Sequence, residues 1–372
     1  MAQLMRTVAK QADGNVGFAL GGLGGFNAHG VGFLQAARKL GVKPAIITCT
    51  SGMVEWTARW LDGEDLEPLI LEQIREDNKF PPSLDLLNAL WIVWFGDPGI
   101  LRPALPEYWA RWLMPLKKRE DFFDQLFDRL LPAQLAVPVR THETMERYAR
   151  VFNSSPIPVA FNTLHAKSGR TYLHINPAAR DFLEVQKVGE IGGSEKYAWI
   201  TTEAVGGALW LYFYGFEQRR ESLNPLGLVD GAYNRQFIIS ELHKCDRIYT
   251  VRPLNTRWLE HRPRNYIEIE DFKNWMWVNS AYTTEVDGIG TINDLIQQGA
   301  LNAAPYHTVD LIEVSVEHHY SLLQYLYEKK EVYQKAFQKS LCKLNKYETR
   351  LAAEALSSEN KGTQPDRKLT AV

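Results

Sequence analysis

Short apolar runs alternate with amphipathic stretches near the start of the chain, and the two periods predict different elements. Val16 to Leu20 (VGFAL) is an unbroken apolar run of strand length, the pattern of a strand buried on both faces. Gly21-Gly22-Leu23-Gly24-Gly25 follows it. Ala28 to Leu40 then carries apolar residues at Val31, Phe33, Leu34 and Ala37, which predicts a helix that Gly41 ends. Pro44 to Thr50 (PAIITCT) predicts a second buried strand, Ser51-Gly52 a sharp turn, and Met53 to Leu61 (MVEWTARWL) another helix. Strand, helix, strand and helix in that order favour a parallel sheet covered by helices.

From Asp77 to Arg150 the pattern changes. Leu86 to Phe95 (LLNALWIVWF) is intensely apolar, Pro98, Pro103 and Pro106 punctuate a Trp-rich stretch, and Asp121 to Leu131 predicts an amphipathic helix. Residues 78–150 therefore read as a helical, Trp-rich insertion. Sheet signals return at Ile157 to Leu164, a polar turn at Lys167 to Arg170, and Thr171 to Ile175, which together predict a hairpin. Thr201 to Tyr212 predicts a buried helix weakened by two glycines, and Leu226 to Ala232 an apolar approach to a tight turn. Two further strands are expected at Asp246 to Val251 and Thr308 to Val314, with Ile269 to Gln298 helical in part. His319 to Leu356 predicts a charged amphipathic C-terminal helix. The organisation expected is a tail over 1–14, an α/β domain over 15–318, a helical extension over 319–356 and a disordered tail over 357–372.

Composition narrows the function classes. The net charge is -2 and the basic residues are scattered, so there is no electrostatic footprint for nucleic acid and no basic block for anionic membranes. Cys49, Cys245 and Cys342 include no CxxC pair, which argues against a disulfide framework or zinc site and fits a reducing compartment. With no signal-peptide pattern and no apolar stretch of bilayer length, a cytoplasmic location is expected. No metal or organic cofactor is expected; in particular there is no HExxH spacing.

Three segments carry candidate chemistry. The glycine loop follows a strand and opens a helix, as a phosphate-binding loop does, but it has no GKS or GKT. Nor does an acidic residue close the second strand, where Cys49-Thr50-Ser51 stands instead. The loop can equally be a tight packing turn, or an oxyanion hole whose bare N–H groups meet a developing negative charge. Ser51 lies between a strand and a helix, the context of a nucleophile elbow, although a serine there can also simply cap the helix. Cys49 and Met53 occupy flanking positions that such an elbow usually gives to glycine. Asp230 before Gly231 can be a turn residue or, desolvated at a strand end, a base for the serine. His29 and His243 compete for that role, while His318-His319 read as a solvated helix end.

In order and spacing these residues resemble the patatin-like phospholipase family. Gly22-Leu23-Gly24-Gly25-Phe26-Asn27 falls on the family's GGGxRG loop, with Leu23, Phe26 and Asn27 as departures. Gly32-Phe33-Leu34 falls on a recurrent Gly-Val-Leu, Gly41 on the helix-ending glycine, and Asp230-Gly231-Ala232 on the DG[GA] turn, with Asn234 near a frequent Asn. The resemblance covers Gly17 to Glu317 apart from the insertion. It implies a three-layer α/β/α patatin-like fold with a mainly parallel central sheet, a helical insertion and a C-terminal helix. It also implies a Ser51–Asp230 dyad without histidine, an oxyanion hole from the N–H groups of Gly22, Leu23, Gly24 and Gly25, and cleavage of lipid acyl esters through an acyl-enzyme. The expected partner is thus a lipid or acyl-ester substrate, with peripheral membrane contact. Trp91 and Trp94 are expected in a lid or acyl groove, the alternative being a helical subdomain or dimer interface. A catalytically impaired lipid-binding or scaffold protein of the same fold and a nucleotide-binding protein are the rival expectations.

Overall fold

Alternate side chains of neighbouring strands enter two separate cores, and that division sets the layers of the fold. The computed structural model describes residues 15–81, 91, 95–96, 100–104, 126, 134, 136–215, 226–255, 257–258, 262–301, 307–316 and 328–345. Its main sheet contains β1 (Val16–Leu20), β2 (Ile46–Cys49), β5 (Val159–His165), β6 (Arg170–Ile175), β7 (Tyr197–Trp199), β8 (Leu228–Asp230), β9 (Arg247–Arg252) and β10 (Asp310–Ser315). The order is β10-β9-β1-β2-β5-β6-β7, with β8 also pairing on β5. β10, β9, β1, β2 and β5 pair in parallel, whereas β6 and β8 are antiparallel to β5.

Helices cover both faces. On one lie α1 (Ala28–Leu40), α2 (Met53–Leu61), α3 (Leu66–Asp77), α4 (His142–Ser154), α6 (Thr202–Ala208) and α8 (330–345). These helices enclose Phe18, Leu20, Ile47, Cys49, Val159, Phe161, Tyr249 and Val251 in one buried cluster. The intervening Ala19, Ile46 and Ile248 face the opposite cluster, which Tyr282 and Ile289 of α7 (Tyr266–Gln297) complete. Ala160 and Ile175 meet Ala179 of α5 (Pro177–Leu183) on that side. The architecture is therefore a three-layer α/β/α fold with a mainly parallel central sheet. Each fully buried Phe or Leu contributes roughly 1.5–3 kcal/mol by leaving water, and Phe18 packs edge-on against Phe33 of α1 at 4.8 Å.

Most predicted elements form where the periodicity puts them. β1, α1 and α2 have the expected bounds, and Gly41 closes α1 in a left-handed conformation with φ 71°. Five elements differ. α6 stops at Ala208, and its Gly207 packs so close to Leu228 that a Cβ there would lie 2.5 Å from the Leu228 Cβ. α7 is one unbroken helix of 32 residues rather than a partial one. The segment read as a helical insertion contributes a two-stranded antiparallel sheet, β3 (Leu101–Pro103) with β4 (Ala136–Pro138). At its end α4 belongs to the main core through Tyr148 and Phe152, so the insertion closes before residue 142. Most of Leu86 to Leu116, nearly all of Asp121 to Leu131, His318-His319 and both ends of the predicted C-terminal helix lie outside the described residues. Among the described residues no helix is long and apolar enough to cross a membrane.

Strand register delivers the candidate residues to one place. Leu20 sits beside Cys49, so the glycine loop and the serine turn leave neighbouring parallel strands at the same level. Cys49 sits beside Phe161, and Thr163, two residues on, sits opposite Asp230. Ser51, two residues beyond Cys49, therefore meets Asp230 across the end of β5.

Candidate active site

Ser51 has φ 52°, and only one other non-glycine described residue, Glu184, shares a positive φ. Left-handed backbone costs a side-chain-bearing residue energy, and the surrounding bonds hold it there. Met53 N–H donates to the Thr50 carbonyl at 3.1 Å and Val54 N–H to the Ser51 carbonyl at 2.9 Å. The turn thereby becomes the first turn of α2, and the buried Ser51 shares one cleft with the buried Asp230.

Asp230 ends β8, and its Oδ1 accepts from Ala232 N–H at 2.9 Å. Burial pushes its carboxyl up to about 7, against the opposing pull of nearby Ser51 and of the Ala232 N–H. A carboxylate with that proton affinity suits a general base at neutral pH. The histidines lose the competition on geometry. His29 donates from Nε2 to the Gly21 carbonyl at 2.8 Å, and burial lowers it to about 4, so it stays neutral inside the core. His243 lies outside, with Nδ1 on the Ser240 carbonyl at 2.9 Å. His174, also lowered to about 4 by burial, is held between Thr163 and the Trp199 carbonyl.

The glycine loop is clamped rather than open along its whole length. Gly22 N–H donates to Thr50 Oγ1 at 3.2 Å, Thr50 donates to the Gln236 carbonyl at 2.8 Å, and Gln236 Nε2 donates to the Gly22 carbonyl at 3.0 Å. Gly22 N–H, one of the four donors expected for the oxyanion, is thus engaged by Thr50 within the elbow. A Cβ on Gly22 would lie 2.3 Å from the Thr50 carbonyl oxygen, which explains why only glycine fits. Leu23 N–H makes a long contact, 3.4 Å, with Asn27 Oδ1. The N–H groups of Gly24 and Gly25 meet no acceptor among the described residues, and Gly24 lines the cleft beside Ser51. Gly24 has φ 54°, and Asn27 Nδ2 donates to its carbonyl at 2.9 Å.

Glu328 completes this frame and had no sequence signal. Its two carboxylate oxygens accept from Asn27 N–H at 2.5 Å and Ala28 N–H at 2.7 Å, capping α1 from 300 residues away. Its own N–H donates to Asp77 Oδ2 at 2.8 Å, and Asn78 Nδ2 donates to its carbonyl at 2.8 Å. Only the fold brings these residues together.

The side chains that crowd the elbow are accommodated. Met53 is fully buried over Gly30 of α1, where a Cβ would approach its Sδ to 2.3 Å. Cys49 is buried, and burial pushes its thiol up to about 12, so it is no rival nucleophile. Gly52 has no Cβ to strike Asn27 Nδ2, which would be 2.3 Å away.

No protein-family model matches this chain, and no curated protein matches it either. The likeness to patatin-like phospholipases rests on the residues themselves.

Ser51, Asp230 and Gly24 open into a single cleft of about 100 Å³. Its far wall comes from Trp275 and Trp277 of α7, from Trp258, and from Leu211, Tyr212 and Tyr233. The predicted groove residues are elsewhere or undescribed. Trp91 meets Phe95 at a tilt at 4.3 Å and Phe80 edge-on at 5.8 Å and does not line the cleft, while Trp94 lies outside the described residues. A signal for the true wall existed. Asp271, Asn274, Trp275 and Val278 follow the i, i+3, i+4, i+7 spacing of one helix face.

Proposed function

We propose that this chain hydrolyses acyl esters through an acyl-enzyme on Ser51. The observation that carries the reading is a serine held in left-handed backbone, in one cleft with a buried carboxylate pushed up to about 7 by burial and a loop N–H that meets no acceptor among the described residues. Ser51 Oγ attacks the ester carbonyl carbon while Asp230 takes its proton. The tetrahedral oxyanion is met by Gly24 N–H, and by Leu23 N–H once it leaves Asn27. Collapse expels the alcohol, which leaves with the proton from Asp230. Water then attacks the acyl-enzyme, Asp230 takes its proton, and collapse releases the carboxylic acid and returns the proton to Ser51. The apolar and aromatic wall suits a fatty acyl chain, which supports a lipid ester of the phospholipase A or lysophospholipase kind, met at a membrane surface.

A binding or scaffold protein of the same fold is the second reading. It is favoured by the commitment of Gly22 N–H to Thr50, which leaves the loop fewer donors than four. Fluorophosphonate labelling separates the two. Wild type should label once, Ser51→Ala should not label, and both should be assayed on p-nitrophenyl esters of increasing chain length. Labelling and turnover that survive in Ser51→Ala, or are missing from wild type with and without liposomes, would sink the hydrolase reading.

A further inference from the structure

A buried guanidinium outside the Ser51 cleft carries donors that the protein does not use. Arg140 lies between β4 and α4, and its side chain is only 10% exposed. Its Nε donates to Glu55 Oε2 at 2.6 Å. Glu55 Oε1 serves Arg59 at 2.8 Å and the Tyr148 hydroxyl at 3.0 Å, so Arg140 holds this carboxylate by one bond rather than by a two-pronged pair. The two terminal nitrogens of Arg140 meet no acceptor among the described residues, and neither is sealed inside protein.

Arg140 instead lines a pocket of about 40 Å³. A single water needs roughly 10–15 Å³ of such space, so the pocket suits a ligand of a few heavy atoms. His142 and Met145 of α4, Glu203 of α6, and Leu209 and Trp210 beyond it share the wall. No residue lines both this pocket and the Ser51 cleft, and the Trp210 carbonyl accepts from Asp230 N–H at 3.1 Å where the two sites come closest in sequence.

Charge and shape select the ligand. Buried N–H donors are met by protein, water or a bound molecule. Two terminal guanidinium nitrogens, taken end-on, match the two oxygens of a carboxylate. Glu203 is half-buried and makes no ion pair with Arg140, so it repels a second negative charge and disfavours a phosphate dianion. His142 is exposed. Met145, Leu209 and Trp210 suit a short alkyl part.

We propose that this pocket binds a small monocarboxylate, its oxygens on Arg140 and its alkyl part against Met145, Leu209 and Trp210. The site goes beyond the ester-hydrolase reading and does not depend on it.

Sodium propionate is the probe, titrated at constant ionic strength and followed by ligand-observed NMR. Propionamide is its neutral isostere and inorganic phosphate the rival anion. Propionate should saturate wild type and bind about tenfold tighter than propionamide. Arg140→Lys keeps a cation for Glu55 but loses the fork, and should weaken propionate about tenfold. Glu203→Gln should tighten it about twofold by removing a like charge. Ser51→Ala should leave it unchanged, because the cleft is separate. If Arg140→Lys fails to fold, the preference over propionamide and its rise in Glu203→Gln carry the comparison. No saturable binding by wild type, or equal binding of propionate and propionamide, overturns the carboxylate site and leaves water on Arg140. Phosphate binding more tightly than propionate overturns the choice of ligand. Binding that Ser51→Ala abolishes and Arg140→Lys leaves intact places propionate in the cleft and overturns this pocket. Fluorophosphonate labelling of Ser51 is read separately, so failure of the hydrolase reading leaves each of these outcomes as it stands.

Discussion

Asp230→Asn exchanges an ionisable group for a neutral one of nearly the same shape beside Ser51. A free aspartate titrates at 3.8, and burial raises Asp230 to about 7. Between those two values the native state keeps a proton that the unfolded chain has released, so stability falls as pH rises from about 4 to about 7 and then levels off. Each pH unit is worth ~1.4 kcal/mol, so the displacement from 3.8 to about 7 amounts to roughly 4 kcal/mol. Asparagine carries no such term, and its Oδ1 can still accept the 2.9 Å bond from Ala232 N–H. The variant should therefore gain on wild type by roughly 4 kcal/mol between pH 4 and pH 8. Urea unfolding of both proteins at three pH values measures the gap, and other titrating groups cancel in the difference. Activity should move the other way. Turnover in wild type should rise through a limb near pH 7 as Asp230 gives up its proton, and the variant should lose about 10²- to 10⁴-fold in kcat/KM together with that limb. A stability gap that does not change between pH 4 and 8, or a limb that survives in the variant, would refute the assignment of Asp230 as a buried base.

Three other perturbations probe the frame of the site. Gly22→Ala places a Cβ 2.3 Å from the Thr50 carbonyl and 2.9 Å from Gly52 N, all backbone, so it should cost about 2–3 kcal/mol in thermal unfolding and abolish esterase turnover. Glu328→Ala strips the buried Asn27 and Ala28 N–H groups of their acceptors and should cost ~2–4 kcal/mol by urea unfolding, with turnover falling as the glycine loop loosens. Met53→Ala should cost ~2–3 kcal/mol through the cavity it leaves. Adding Gly30→Ala should recover part of that loss, because the new Cβ enters space that Met53 vacates; a double-mutant cycle reads the coupling.

β1, α1 and α2 could be bounded from the sequence because short-range patterns control them. Apolar runs, the 3.6-residue period and a left-handed glycine stop act within a few residues of one another. The pairing of Ser51 with Asp230 was also legible, but as an order of motifs resembling a known family rather than as a distance. The tertiary structure decided what that pairing means. Asp230 became the candidate base because sheet register sets it against Thr163 beside the end of β2, while His29 and His243 are turned to other partners. The loop donors were decided in the same way. Gly22 was lost to Thr50, Gln236 closed the clamp from 214 residues away, and Glu328 capped α1 from 300. The aromatic wall moved from the expected Trp91 to α7, since composition marks a tryptophan as something to bury without saying against what. Local propensity acts through neighbouring dihedrals and can be read along the chain. Which N–H is free, which carboxyl is desolvated and which rings share a cleft depend on contacts between distant segments, and those exist only once the sheet has set its register.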